Sequence, residues 1–82
     1  MDKNLLIEKS KERYGKLIEK FSINSKKVHY GIGEVRVDLG HHNTLCMDDT
    51  GKVAVYHNEQ LITQRYCFFE DDYIATINAI LK

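Results

Sequence analysis

Two different periods run through the hydrophobic and polar positions of the chain. Near each end, apolar residues recur every three or four positions, which is typical of amphipathic helices. Between the ends, apolar and polar residues alternate, which is the period of a β-strand with one buried face. The pattern therefore predicts a helix at each end of the chain and a sheet in the middle.

The first helix is predicted over residues 2–22. Its apolar stripe includes Ile7, Tyr14 and Ile18, while lysines and glutamates occupy the opposite face. Gly15 lies inside this helix and costs about 1 kcal/mol relative to alanine. A glycine here would allow a strand to approach the helix closely.

The second helix begins after an acidic run, where Asp71 or Asp72 can act as the cap. The run also complements the positive end of the helix dipole. The apolar positions with helical spacing are Tyr73, Ile74, Ile77, Ile80 and Leu81.

Four short strands are predicted between the helices, over residues 34–39, 44–48, 52–57 and 61–69, and residues 28–32 are a candidate for a further edge strand. Val35 and Val37 alternate with charged residues in the first of the four. The turn that ends in Gly51 joins the second and third strands into a hairpin. The order α-β-β-β-β-α predicts an α+β two-layer sandwich, an antiparallel meander sheet with the N- and C-terminal helices on one face.

Composition is that of an ordinary globular domain, with 43% apolar and 29% charged residues among 82. This length predicts a single domain over residues 1–82, since domains below roughly 50 residues rarely fold alone. No apolar run is long enough for a membrane span or a signal peptide, so we expect a cytoplasmic protein that binds no membrane. A core this small gains from oligomerisation, and a homodimer is compatible with the sequence.

The formal net charge is zero, but the two halves of the chain differ. Residues 1–27 contain eight cations and four anions, a net charge of +4, and residues 28–82 contain the reverse, −4. The lysine-rich first helix is the feature that favours nucleic-acid binding. Interleaved glutamates and the zero net charge argue against it, because phosphate-binding faces are usually strongly basic.

Candidate chemistry is sparse. Cys46 and Cys67 are too few for a disulfide scaffold and too isolated for a structural zinc site, although His42 lies four residues before Cys46. No nucleophile motif or phosphate-binding loop occurs. The sequence therefore predicts no enzyme activity, no catalytic residue, no metal site and no cofactor.

Three aspartates, Asp38, Asp48 and Asp49, lie near the predicted hairpin. As oxygen donors they could bind a divalent metal in a small hydrolase. Aspartates also form turns and solvated sheet positions, and this second interpretation is favoured.

The sheet face that no helix covers is the remaining candidate site. It would mix Tyr56 with charged residues, which is typical of the anchor and rim of a protein interface. An antiparallel sheet also tolerates a face that is simply solvated, and the sequence favours neither interpretation over the other. The residues predicted to bind a partner are Tyr56, Arg36, Asp38, Asp48, Asp49 and Glu34.

Very small α+β proteins without catalytic residues are often bacterial or phage inhibitors, by analogy of fold alone. Immunity proteins, antitoxins and anti-CRISPR or other anti-defence proteins are of this kind. The favoured hypothesis is a non-enzymatic protein that blocks a partner's active or nucleic-acid-binding surface, for example that of a nucleic-acid-processing enzyme. The alternatives are a nucleic-acid-binding module that uses the first helix and, less favoured, a metal-dependent hydrolase.

Overall fold

A computed structural model describes residues 2–82. Helix α1 (Lys3–Glu19) is followed by a single 3-10 turn (Ser25–Lys27), a sheet and helix α2 (Glu70–Leu81). The five strands are β1 (Val28–Gly31), β2 (Glu34–Gly40), β3 (Asn43–Asp48), β4 (Lys52–His57) and β5 (Gln60–Tyr66). The predicted α+β meander is confirmed, with the candidate edge strand present as β1.

Strand order in the sheet is the same as the order along the chain, and every neighbouring pair is antiparallel. Val37 pairs with Leu45, and Met47 pairs with both Val35 and Val53 on either side of it. Directly paired residues point to the same face, so this register gathers one apolar surface across three strands.

Both helices pack on that apolar surface. Tyr14 and Ile18 of α1 and Ile77 of α2 are buried in the same cluster as the strand residues. The other members of the cluster are Val35, Val37, Leu45, Met47, Val53 and Cys67. The predicted arrangement, with both helices on one face, is confirmed.

The β3–β4 turn depends on Gly51. Its φ is +91°, and a Cβ at this position would lie 2.5 Å from the carbonyl oxygen of Cys67. The Cys67 amide donates a hydrogen bond of 2.7 Å to the Gly51 carbonyl. The close approach of these two backbones turns the chain inward after β5 and buries the Cys67 side chain.

That inward turn explains two differences from the predicted elements. The last strand ends at Tyr66 instead of residue 69, and Phe68 and Phe69 follow it, each of them 72% exposed. The cap predicted at Asp71 or Asp72 is wrong, because the N-cap of α2 is Phe69, two or three residues earlier. The acidic residues occupy the first turn, where they still complement the dipole.

The described residues form a compact unit with a radius of gyration of 12.1 Å. Neither α1 nor α2 combines the length and the hydropathy that a membrane-spanning helix requires.

Candidate protein-binding face of the sheet

The side of the sheet opposite the helices carries mostly polar residues, because β2, β3 and β4 alternate between the core and this side. We call this surface the open face. Its residues on these three strands are Glu34, Arg36, Asp38, Thr44, Cys46, Asp48, Lys52, Ala54 and Tyr56.

Near the middle of the open face lies a shallow depression of about 340 Å³. Arg36, Thr44, Cys46 and Tyr56 contribute to it from three adjacent strands, and Glu59 reaches it from the β4–β5 turn. Register explains the grouping, since Arg36 pairs with Cys46 and Thr44 pairs with Tyr56. The structure thus brings the predicted Tyr56 and Arg36 to the same depression.

Glu34 lies at the border of this depression and contacts two of the residues that line it, Arg36 and Cys46. Its carboxylate is 3.8 Å from the Arg36 Nε and 3.9 Å from the Cys46 Sγ. Burial, and secondarily the negative charge of Glu34, raise the pKa of the Cys46 thiol. A thiol held in its protonated form is a poor nucleophile, so this environment does not prepare Cys46 for covalent catalysis.

Two of the predicted aspartates lie at opposite ends of the open face and bond to the turns beside them. Asp38 accepts a hydrogen bond of 2.8 Å from the Gly40 amide at the β2–β3 end. Asp48 accepts one of 2.9 Å from the Thr50 amide, and another from the Thr50 hydroxyl, at the β3–β4 end. Burial alone would raise the pKa of Asp48, but these hydrogen bonds lower it overall.

Asp49 does not lie with the other five predicted residues. Its carboxylate faces α1, where it accepts a hydrogen bond of 2.7 Å from the Tyr14 hydroxyl and lies 3.5 Å from the Arg13 Nε. Burial and this hydrogen bond to a carboxylate raise the pKa of Tyr14. The geometry gives Asp49 a structural contact, the attachment of the β3–β4 turn to α1.

The two oppositely charged halves of the sequence are brought together by folding. Besides Arg13 and Asp49, Lys20 of α1 forms an ion pair with Glu70 of α2, and Lys11 pairs with Glu8 within α1. The pairs with Asp49 and Glu70 offset part of the excess of positive charge on the first helix, whereas the Lys11–Glu8 pair lies within that helix and leaves its net charge unchanged.

Three residues that line the depression were not among the predicted partner-binding residues: Thr44 and Cys46, which follow the alternation of β3, and Glu59, which does not follow strand alternation. Glu59 lies in a two-residue turn with Asn58, and both have positive φ values of 68° and 49°. Two positive φ values in a two-residue hairpin loop are typical of a type I′ turn. The alternation of apolar and polar residues ends at such a turn, so the pattern could not predict that Glu59 lies on the same side of the sheet as Tyr56.

Nothing in residues 2–82 groups three or more histidine, cysteine, aspartate or glutamate side chains closely enough to bind a metal ion. Both cysteines are free thiols. Comparisons of the chain with protein-family models, with curated proteins and with solved structures find no match.

Proposed function

We propose that this chain is a non-enzymatic, cytoplasmic inhibitor that binds another protein through the open face. The observation that carries the proposal is the depression that Arg36 of β2 and Tyr56 of β4 both line, with β3 between them. Tyrosine and arginine are the residue types enriched, with tryptophan, at the energetic centre of protein interfaces. The charged residues around them are suited to a polar rim.

The sign of the charges at the rim of the proposed interface indicates the kind of surface that a partner would have. Glu34 and Asp48 pair directly across β2 and β3, which places two carboxylates at one end of the open face. Cβ atoms of such pairs are about 5 Å apart. Two negative charges at this spacing complement a basic surface, such as the nucleic-acid-binding surface of an enzyme. Blocking that surface would require no catalytic residue, as in immunity, antitoxin and anti-CRISPR proteins.

The alternative function, nucleic-acid binding through α1, has weaker support. Arg13 and Lys20 are paired with acidic residues from the other half of the chain. Affinity for nucleic acid comes largely from cations that are free to contact phosphates. The ion pairs therefore favour a protein partner over nucleic acid.

The test is quantitative capture from a lysate of the cells that produce the protein, with wild-type and variant chains as bait. Tyr56→Ala should lose the captured partner, because truncating an interface centre costs at least about 2 kcal/mol of binding free energy. Two control variants, Lys16→Glu on α1 and Leu5→Ala at an exposed apolar position, should retain it. Circular dichroism of each bait checks the fold.

The opposite pattern would contradict the proposal. If Lys16→Glu releases the captured species and Tyr56→Ala retains it, α1 is the binding surface. Fluorescence anisotropy with a single-stranded and a double-stranded oligonucleotide then decides between protein and nucleic acid. We expect no change in anisotropy with either oligonucleotide at physiological salt.

A further inference from the structure

The two edges of the sheet are protected very differently. At one edge, β1 has only four residues and lies beneath α1. The Ser10 hydroxyl of α1 donates a hydrogen bond of 2.7 Å to the Gly31 carbonyl. A short strand covered by a helix is a common way of preventing a sheet edge from pairing with another chain.

At the other edge, β5 has none of these protections. It has seven residues, and all of them are exposed. It contains no proline and no lysine, and Arg65 is its single charged residue. Leu61, Ile62 and Tyr66 expose 48%, 62% and 52% of their surfaces. An exposed edge strand of this length, with three large apolar side chains and one charge, presents unpaired backbone groups and is a template for pairing with another strand.

We propose that β5 pairs with β5 of a second copy of this chain, antiparallel and across a two-fold axis at Thr63. This register uses the whole strand and sets Thr63 opposite its own copy, a favourable cross-strand pair. It also sets Arg65 opposite Leu61. A parallel pairing in register would instead place the two Arg65 side chains next to each other, which is unfavourable.

A stable dimer would have to bury surface around β5 in addition to the strand edge itself. A standard interface takes about 800 Å² from each partner, roughly one seventh of the 5843 Å² that the chain exposes. Beside β5, a groove of about 490 Å³ separates the strand from α2, with Val53 and Val55 among its lining residues. A copy paired on β5 would lie at the mouth of this groove and cover apolar surface in addition to the strand edge.

Dimerisation of this kind would produce a continuous ten-stranded sheet. A two-fold axis perpendicular to the sheet keeps the helices of both copies on one side and both open faces on the other. The dimer would then present two Tyr56 depressions on the same side. The dimer proposal does not depend on the proposed function, since β5 pairs through its edge and Tyr56 lies on the face.

The first test measures molecular mass by sedimentation equilibrium over a range of concentrations up to about 100 μM, where even a micromolar dimer is mostly associated. The wild-type chain should reach twice its monomer mass of 9.6 kDa. Ile62→Lys, which places a charge on the edge strand, should raise the dimer dissociation constant at least tenfold. Ile32→Lys is the matched control, because Ile32 is a similarly exposed isoleucine (52%) in the β1–β2 turn, and it should leave the constant unchanged.

A monomeric wild-type chain at the highest concentration would overturn the proposal. So would equal effects of the two lysine variants, or a dimer that Ile62→Lys leaves intact while circular dichroism shows the native fold.

The second test locates the two-fold axis by disulfide cross-linking. Thr63→Cys should form a covalent dimer under mild oxidation, because residue 63 meets its own copy at the axis. Gln60→Cys, in the same strand, should not, since each copy of residue 60 would lie about 20 Å from the other. Cross-linking of Gln60→Cys but not of Thr63→Cys would rule out this pairing.

Discussion

The two faces of the central sheet are built from alternating residues of the same strands, yet they differ in polarity and in exposure to solvent. On the covered face, Val35, Val37, Leu45 and Met47 have no exposed surface. On the open face, Arg36 is exposed, while Thr44, Cys46 and Tyr56 are only partly buried. The comparison indicates that stability is concentrated on one face, which leaves the other available for recognition.

The largest effect on stability is expected from the covered face. Ile77 of α2 is fully buried, and Ile77→Ala should destabilise the domain by about 2–5 kcal/mol, because it removes apolar contacts and leaves a cavity. Urea denaturation monitored by circular dichroism measures the change. Since a domain of this size is marginally stable, Ile77→Val provides a smaller, measurable loss of about 0.5–1.5 kcal/mol.

The corresponding change on the open face is Tyr56→Ala, which should cost about 1 kcal/mol or less. Equal destabilisation by Tyr56→Ala and Ile77→Ala would contradict the claim that the covered face contributes most of the stability.

An intermediate effect is expected at the contact between α1 and the β3–β4 turn. Tyr14→Phe removes the hydrogen bond to Asp49 and should cost about 1 kcal/mol, since the carboxylate is partly exposed and can bond to water instead. Tyr66→Phe, on the exposed edge strand, is the control and should be neutral.

Alkaline pH gives a second readout of the same contact. Burial raises the pKa of Tyr14 in the folded state, whereas in the unfolded chain the phenol titrates near 10.0. The unfolded state therefore loses this proton first, and the stability contributed by Tyr14 falls as the pH rises above about 10. Urea denaturation should show that Tyr14→Phe has a weaker alkaline loss than the wild-type chain. An identical loss in both proteins would contradict the assignment.

The smallest effect is expected from Asp48 at the end of the open face. Its hydrogen bonds with Thr50 lower its pKa below the ordinary value of 3.8, so its contribution is present at neutral pH and is lost as the pH falls through the folded-state pKa. Asp48→Asn should cost less than about 1 kcal/mol at pH 7, because the site is close to solvent. Thermal denaturation should show the two proteins converging below pH 3.8, and a gap that is constant with pH would contradict this account.

The sequence was sufficient to predict the covered face, since the period of two in β2 and the helical spacing around Ile77 each identify one apolar side. It was not sufficient where that periodicity ends. Asp48 and Asp49 are adjacent in one acidic turn, yet Asp48 bonds to its own turn while Asp49 contacts Tyr14, 35 residues earlier. Such a contact depends on how α1 packs, which local pattern does not encode.

The end of β5 was missed for a similar reason. The run Tyr66–Phe69 is apolar at every position, so it has no period from which a strand end could be located. The strand ends there because Cys67 meets Gly51, a contact between distant parts of the chain.

The most direct test of the account is a calorimetric titration of the captured partner, purified, with the wild-type chain and with Tyr56→Ala. The account predicts that Tyr56→Ala binds at least about 30-fold more weakly, which corresponds to 2 kcal/mol, while its unfolding free energy stays within about 1 kcal/mol of the wild-type value. Unchanged affinity in a folded Tyr56→Ala variant would contradict the claim that the open face is the binding surface.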